Sequence, residues 1–456
     1  MVTTTLTTRI PRSWVIPTPE APARRAENER LLRLLTFLLV VDIFFQRFAL
    51  PVAGSQLQLV LPVTFAVIAI AVTKGDLRTN IGRTRAYLVA MAVCCLAALV
   101  AFLRHIDNNT SLTSLLLLIA TYLPFCFGLA PADSRALLPR LLDRFVNLTT
   151  ILAGLALLQF AIQLVGWRYE DILGNIIPSG YLMEGFNTSY PVQYGSDLYK
   201  SNAFICLEPS FCSQFLAFGL VVCILRSGRW WRYPVYILAL LTTVSGTGLL
   251  LLAAAMVLLA VHKGLRFALT ALIGVSLVLL VLSFTPAADI FAARATETSS
   301  SNSSGNLRFV APYERTWAAL DKDPMTVLFG AGPGWADRDA SRYFQTTGLP
   351  LNYALVPKLV LEYGVLGTLA FGAFIVTMFV RGSPSFVLSG TTLVFYSLLS
   401  GGLLMPVVST VGMLLVAWFT ITPEDERWDR SRTTAAPTAL PPLPPPRPAE
   451  SYRPAV

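Results

Sequence analysis

The sequence predicts an all-α integral membrane protein with about twelve transmembrane helices and a large outer-face loop region containing short helices. Two observations carry this. The 456 residues are 54% hydrophobic and only 13% charged, against roughly 25% charged in an ordinary soluble domain, and mean hydropathy is +0.61. The apolar residues also run in long unbroken blocks, and such blocks are buried only in lipid or in a bundle within lipid. No stretch is left over to build a soluble core.

Residues 1–30 hold Pro, Arg and Glu but no apolar h-region with a cleavage site, so they read as a disordered cytoplasmic tail rather than a signal peptide. Apolar blocks then fall near 33–52, 57–73, 86–103, 112–129, 145–165, 203–225, 233–244, 246–262, 266–284, 354–380, 385–401 and 403–421. They place a polytopic membrane domain over 31–424. The tail, 425–456, contains Pro441-Pro442-Leu443-Pro444-Pro445-Pro446, a polyproline-type cytoplasmic segment. It reads as a solvated tail, with an SH3-like ligand as the sharper alternative.

The net charge of +9 sits mainly in short loops between blocks, which is a topology signal. No basic domain exists to carry nucleic-acid binding. The loops are 74–85 (Lys74, Arg78, Arg83, Arg85), 130–144 (Arg135, Arg140, Arg144), 226–232 (Arg226, Arg229, Arg232) and 262–266 (Lys263, Arg266). Residues 233–262 are apolar apart from Ser245-Gly246-Thr247-Gly248, and read as one long helix or as two short ones. Two short segments turning at Ser245–Gly248 keep both flanking basic loops on the cytoplasmic side, as the positive-inside rule requires. That choice places both termini in the cytoplasm and makes 166–202 and 285–352 the two large outer loops.

Few residues offer chemistry. Glu208, in Leu207-Glu208-Pro209-Ser210, stands at the mouth of a span, where a carboxylate is costly unless paired or wetted. It reads either as a cap on the helix that Pro209 begins or as a carboxylate facing a cavity. Arg308 and Arg315 are seven residues apart, one face of a helix if Pro312 does not break it. They read as an anion clamp or as surface partners of Glu314 or Asp321. Gly330-Ala331-Gly332-Pro333-Gly334 lacks the strand–helix setting of a nucleotide fingerprint and reads as a tight turn. Lys358 and Glu362, four apart where a span begins, read as a structural ion pair. Asp42 and Arg47 are badly spaced to pair on one helix and face other elements of the bundle. The six cysteines form no CxxC pair and read as packing residues. His105 and His262 lack neighbours at metal spacing, so no metal or cofactor is expected.

Taken in order, Glu208-Pro209-Ser210, the Ser245–Gly248 turn, Arg308 and Arg315, the Gly330–Gly334 run and Leu361-Glu362-Tyr363-Gly364-Val365-Leu366-Gly367 resemble the O-antigen polymerase and O-antigen ligase (Wzy-like) superfamily. The resemblance covers about residues 200–380. It implies a metal- and nucleotide-independent glycosyltransferase of the bacterial inner membrane, acting on the outer face on polyprenyl-pyrophosphate-linked oligosaccharide. A polymerase joins such repeat units into O-antigen, capsule or exopolysaccharide, and a chain-length regulator is an expected partner. The catalytic residues are then Glu208 as base with Arg308 and Arg315 on the pyrophosphate. The substrate-binding set is Arg308, Arg315, Lys200, Lys358, Tyr313 and Tyr353. Ligase-type members carry a loop histidine just before the next span. Here that stretch reads Leu351-Asn352-Tyr353, which favours a polymerase over glycan transfer to a lipid or protein acceptor. A transporter or flippase of lipid-linked glycan is the rival of another class, weakened by the absence of paired broken helices in the two halves.

Overall fold

The computed structural model describes residues 22–52, 55–104, 110–193, 195–284, 303, 305–321, 323–398 and 402–421. Most of both expected tails, the 285–302 part of the long loop and His105 lie outside the described residues. Along the chain run α1 (Pro22–Phe44), α2 (Val60–Thr73), α3 (Ile81–Leu103), α4 (Leu112–Tyr122), α5 (Pro131–Leu164), α6 (Ile172–Ile176), α7 (Pro209–Leu225), α8 (Arg232–Thr243) and α9 (Gly246–Lys263). Then follow α10 (Leu265–Ser283), α11 (Asn306–Phe309), α12 (Ala311–Leu320), α13 (Pro324–Phe329), α14 (Trp335–Thr347), α15 (Leu355–Phe379), α16 (Phe386–Leu398) and α17 (Pro406–Leu415).

Every apolar block therefore contains a helix. Among the described residues, four helices are long and apolar enough to cross a membrane by length and composition: α3, α5 from Asp133 onward, α9 and α15. The other apolar helices, such as α2, α7 and α16, are shorter. On α3, Leu88, Val89, Leu96, Leu99 and Phe102 are exposed, and a continuous apolar face of this kind suits lipid rather than water.

Three boundaries differ from expectation. Helix α1 begins at Pro22, so residues 22–30 belong to it rather than to the tail. Two of their charges are met by neighbours: Arg30 donates to both Asp76 oxygens at 2.8 and 2.9 Å, and Glu29 accepts from Arg140. Residues 49–58, expected to end one span and begin the next, form an antiparallel hairpin of β1 (Ala49–Val52) and β2 (Ser55–Gln58). Pro51 has no N–H for a helix, and Arg47 leaves α1 to make a bidentate pair with Asp171, both contacts at 2.6 Å. The 130–144 stretch is the first half of α5, opened by Pro131 at the N1 position that proline favours. A second small sheet pairs β3 (Leu77–Thr79) with β4 (Phe127–Leu129).

Contacts sort the loops to two ends of the bundle. Arg226 donates to Asp143 of α5 at 3.0 Å, and Lys263 donates to the Ile224 carbonyl at 2.6 Å. With Arg30–Asp76 and Glu29–Arg140, this gathers the four basic segments at one end. At the other end Arg47 meets Asp171, Arg104 pairs with Asp323, and Ser111 N donates to the Pro333 carbonyl at 3.0 Å. The 166–202 and 303–352 segments lie there.

Residues 233–262 are a hairpin, not one long helix. Ser201 N donates to the Thr242 carbonyl at 3.0 Å, so the end of α8 lies beside the entry to α7. Val244 then turns left-handed at φ 44°. Helix α9 runs back along α7, so close that a Cβ on Gly248 would stand 2.6 Å from the Ser213 carbonyl oxygen. At the core, Tyr122, Phe125, Phe371, Phe374 and Tyr396 are buried and pack edge to face.

Candidate active site

The end of the bundle opposite the basic loops holds a cleft of about 400 Å³. Five stretches build it: Tyr190 and Lys200 from the 166–202 loop, Glu208 and Ser210 at the head of α7, the Val244–Thr247 turn, α11, and Leu349–Asn352. Leu250, Val244, Leu307 and Phe309 make much of its wall apolar.

Glu208 is the N-cap residue of α7, extended at φ −150° and ψ 163°, with Pro209 behind it. Its side chain makes no capping hydrogen bond. One of the two expected readings is thereby favoured, because the carboxylate turns to the cleft instead of the helix amides. There Ser210 Oγ donates to Oε2 at 2.9 Å, and an Arg308 guanidinium nitrogen stands 3.7 Å from the same oxygen, both side chains 12% exposed. Burial pushes the Glu208 carboxyl above its ordinary value. Arg308, the Ser210 hydroxyl and the Asn187 backbone N–H oppose that rise without cancelling it. Arg308 keeps spare capacity: its buried Nε has no hydrogen-bond partner among the described residues.

Two further groups complete the polar lining. Lys200 Nζ lies 5.7 Å from the centroid of the Tyr190 ring. Asn352 N donates to the Leu307 carbonyl at 3.1 Å, which fixes the Leu349–Asn352 wall against α11. Tyr190 was not picked out by sequence reasoning, and Ser210 and Asn352 were quoted there only within motifs, with no role in the site. Their nearness to Glu208 and Arg308 is what gives all three a place in the cleft.

The chain reaches Glu208 through two left-handed residues, Ala203 at φ 55° and Phe204 at φ 63°. Each costs about 1–2 kcal/mol for a residue with a Cβ.

The other expected site residues lie elsewhere. Arg315 is not a second arm of an anion clamp. Its Nε and a terminal nitrogen bind the two oxygens of Asp339 at 2.6 and 2.5 Å, its guanidinium lies 5.3 Å from the Tyr343 ring centroid, and Tyr353 donates its hydroxyl to Asp339 at 2.7 Å. Burial raises the Asp339 carboxyl, but the bonds from Arg315 and Tyr353 outweigh it and hold the group below the usual carboxylate range. The Arg315 partner is thus Asp339, not Glu314 or Asp321. Lys358 is bound to Asp337 at 2.7 and 2.9 Å, while Glu362 accepts the Ala336 N–H at 3.2 Å in the first turn of α14, where a carboxylate suits the helix dipole. Lys358 and Glu362 attract each other as expected, but their hydrogen bonds make two separate ties from α15 to α14. Tyr313, 38% exposed, is outside the cleft lining.

No protein-family model matches the chain, and no curated protein matches it.

The glycine run is a tight turn, as expected, with a specific fit. Gly330 (φ 77°, ψ −178°) and Gly364 (φ 66°, ψ −170°) both occupy a backbone region essentially closed to other residues. A Cβ on Gly330 would meet the Glu362 backbone at 2.5 Å, and one on Gly364 the Leu328 carbonyl at 2.4 Å. Ala331 N donates to Leu361 O at 2.8 Å and Gly332 N to Glu362 O at 3.1 Å. The two glycine motifs are thus the two halves of one joint. Among the described residues, no group of three or more His, Cys, Asp or Glu side chains is placed to hold a metal ion. The cleft instead offers one carboxylate, two cations and an apolar wall.

Proposed function

We propose that this protein is a polysaccharide polymerase that joins polyprenyl-pyrophosphate-linked oligosaccharide units on the outer face of the bacterial inner membrane. The observation that carries the reading is Glu208 facing Arg308 across a cleft with an apolar wall, at the end of the bundle opposite the basic loops. In this scheme the apolar blocks cross the membrane about twelve times, and the basic loops put both termini in the cytoplasm.

The chemistry follows from the groups present. An acceptor sugar hydroxyl gives its proton to Glu208, whose buried carboxylate is a stronger base than an exposed one. The hydroxyl oxygen bonds to the anomeric carbon of the donor as the bond from that carbon to the pyrophosphate oxygen breaks. The polyprenyl pyrophosphate leaves with the electron pair. Arg308 and Lys200 stand where its charge gathers. The apolar wall suits the first part of the lipid tail. Arg315, Lys358 and Tyr353 act at one remove, by fixing the loop that carries Arg308.

A ligase is disfavoured because Asn352 occupies the stretch where ligase-type proteins carry a histidine, and Asn352 lines the cleft. The test is gene deletion with analysis of lipid-linked intermediates. Deletion is expected to leave single lipid-linked repeat units and no polymer. Glu208→Gln and Arg308→Ala, each inserted at normal level, are expected to do the same. Long polymer from either variant overturns the assignment of roles, and long polymer after deletion overturns the function.

A further inference from the structure

Two glutamines on α5 lie outside the cleft, yet they hold the strand of chain that feeds it. Gln159 and Gln163 are four residues apart and so share a helix face, and both are buried. Gln163 pairs with the Tyr199 backbone as a neighbouring strand would, accepting its N–H at 2.8 Å and donating to its carbonyl at 3.2 Å. Gln159 Oε1 accepts the N–H groups of Asn202 and Phe204, each at 3.1 Å, and lies 2.9 Å from Ser201 Oγ. This is the segment with the left-handed pair Ala203–Phe204. It is bracketed by Lys200 and Glu208.

An amide buried among apolar side chains is costly unless it is hydrogen-bonded. The Gln159 oxygen is fully used, whereas its Nε2 has no partner among the described residues. The side chain therefore serves as a carbonyl that gathers backbone donors from this turn, sharing the Phe204 N–H with Asn202 Oδ1.

We propose that Gln159 and Gln163 are positioning residues that hold residues 199–204 against α5, so that Lys200 and Glu208 face Arg308 across the cleft. The proposal rests on the polymerase reading for its consequence but not for its geometry. Neither glutamine touches the substrate. Their effect is on where two charges stand, and a displacement of about 1 Å costs up to roughly 100-fold in rate.

The unused nitrogen gives a discriminating pair of variants. Gln159→Glu keeps the shape and, in the neutral form that burial favours, an acceptor carbonyl, and exchanges the unpartnered N–H₂ for an O–H. Gln159→Leu keeps the volume and removes the acceptor. In membrane-inserted, purified protein, Gln159→Leu is expected to speed hydrogen exchange at residues 202–206, and in cells to lower polymer by about 100-fold. Gln159→Glu is expected to restore both. Wild-type polymer from Gln159→Leu overturns the proposal, as does Gln159→Glu behaving no better than Gln159→Leu. If deletion of the whole chain leaves polymer intact, the polymerase reading falls instead, and exchange decides alone: equal rates at 202–206 in wild type and Gln159→Leu overturn the clamp.

Discussion

At the scale of single residues, Glu208 is governed by opposing effects. Burial favours its neutral form, while Arg308 and the Ser210 hydroxyl favour the carboxylate. In the proposed scheme Glu208 is a general base and works only when ionised, so polymer formation is expected to fall at a higher pH than an ordinary glutamate would set. Ser210→Ala removes a donor to the ionised form and moves that acid limb to higher pH; a pH–rate profile in membranes checks the direction. Asp42 is the opposite case. It is fully buried in α1, with no hydrogen-bond partner for either oxygen among the described residues, and nothing in the structure explains it. Arg315 shows why a motif can mislead. Its spacing from Arg308 was legible, but its partner lies 24 residues away, on a helix whose docking no local pattern reveals. Arg315→Ala leaves Asp339 buried without its cation. Since Arg315 is itself partly exposed, the expected cost is about 2 kcal/mol, read as a lower midpoint in thermal unfolding.

Between elements, the 303–352 segment is fastened to α15 by three kinds of tie: the Gly330–Gly364 joint, Lys358 with Asp337, and Glu362 on the first turn of α14. Gly330→Ala places a side chain into backbone at 2.5 Å from a φ that disfavours it. The expected loss is at least about 2 kcal/mol, together with loss of polymer, because Arg308 travels with the loop. Asp339 adds a pH dependence of its own. Its folded-state pKa is depressed, so its contribution is present above the unfolded value and is lost as pH falls through the folded one. Acid below the usual carboxylate range is expected to expose α12 and α14 to limited proteolysis before the apolar helices yield. Each glycine motif was legible as a turn. That the two would interlock was not, because backbone-to-backbone approach leaves no trace in hydropathy or charge.

For the whole molecule, each apolar block that hydropathy marked holds a helix, since burial in lipid demands a local run of apolar residues. It erred where apolar residues serve another purpose. Leu50, Pro51 and Val52 continue the first block in composition, yet they belong to a hairpin. Charge counting resolved the 233–262 ambiguity correctly, and the Lys263 contact to Ile224 supplies the geometric reason. Single cysteines placed at Gly228 and Gly264 are therefore expected to react with an impermeant thiol reagent from the same side, and one at Gly348 from the other. Labelling of all three from one side is incompatible with the arrangement of ends described above.

The fastening of the long loop has a consequence for how such a protein diversifies. Arg315, Asp337, Asp339, Gly330 and Gly364 hold the loop without lining the cleft, whereas Leu349–Asn352 and Tyr190 line it without holding the loop to α15. On the proposed reading, the residues that line the cleft can thus vary while the frame that presents Arg308 stays constant. If the cleft takes glycans as proposed, a lineage facing new ones can exchange its lining one side chain at a time without touching those ties.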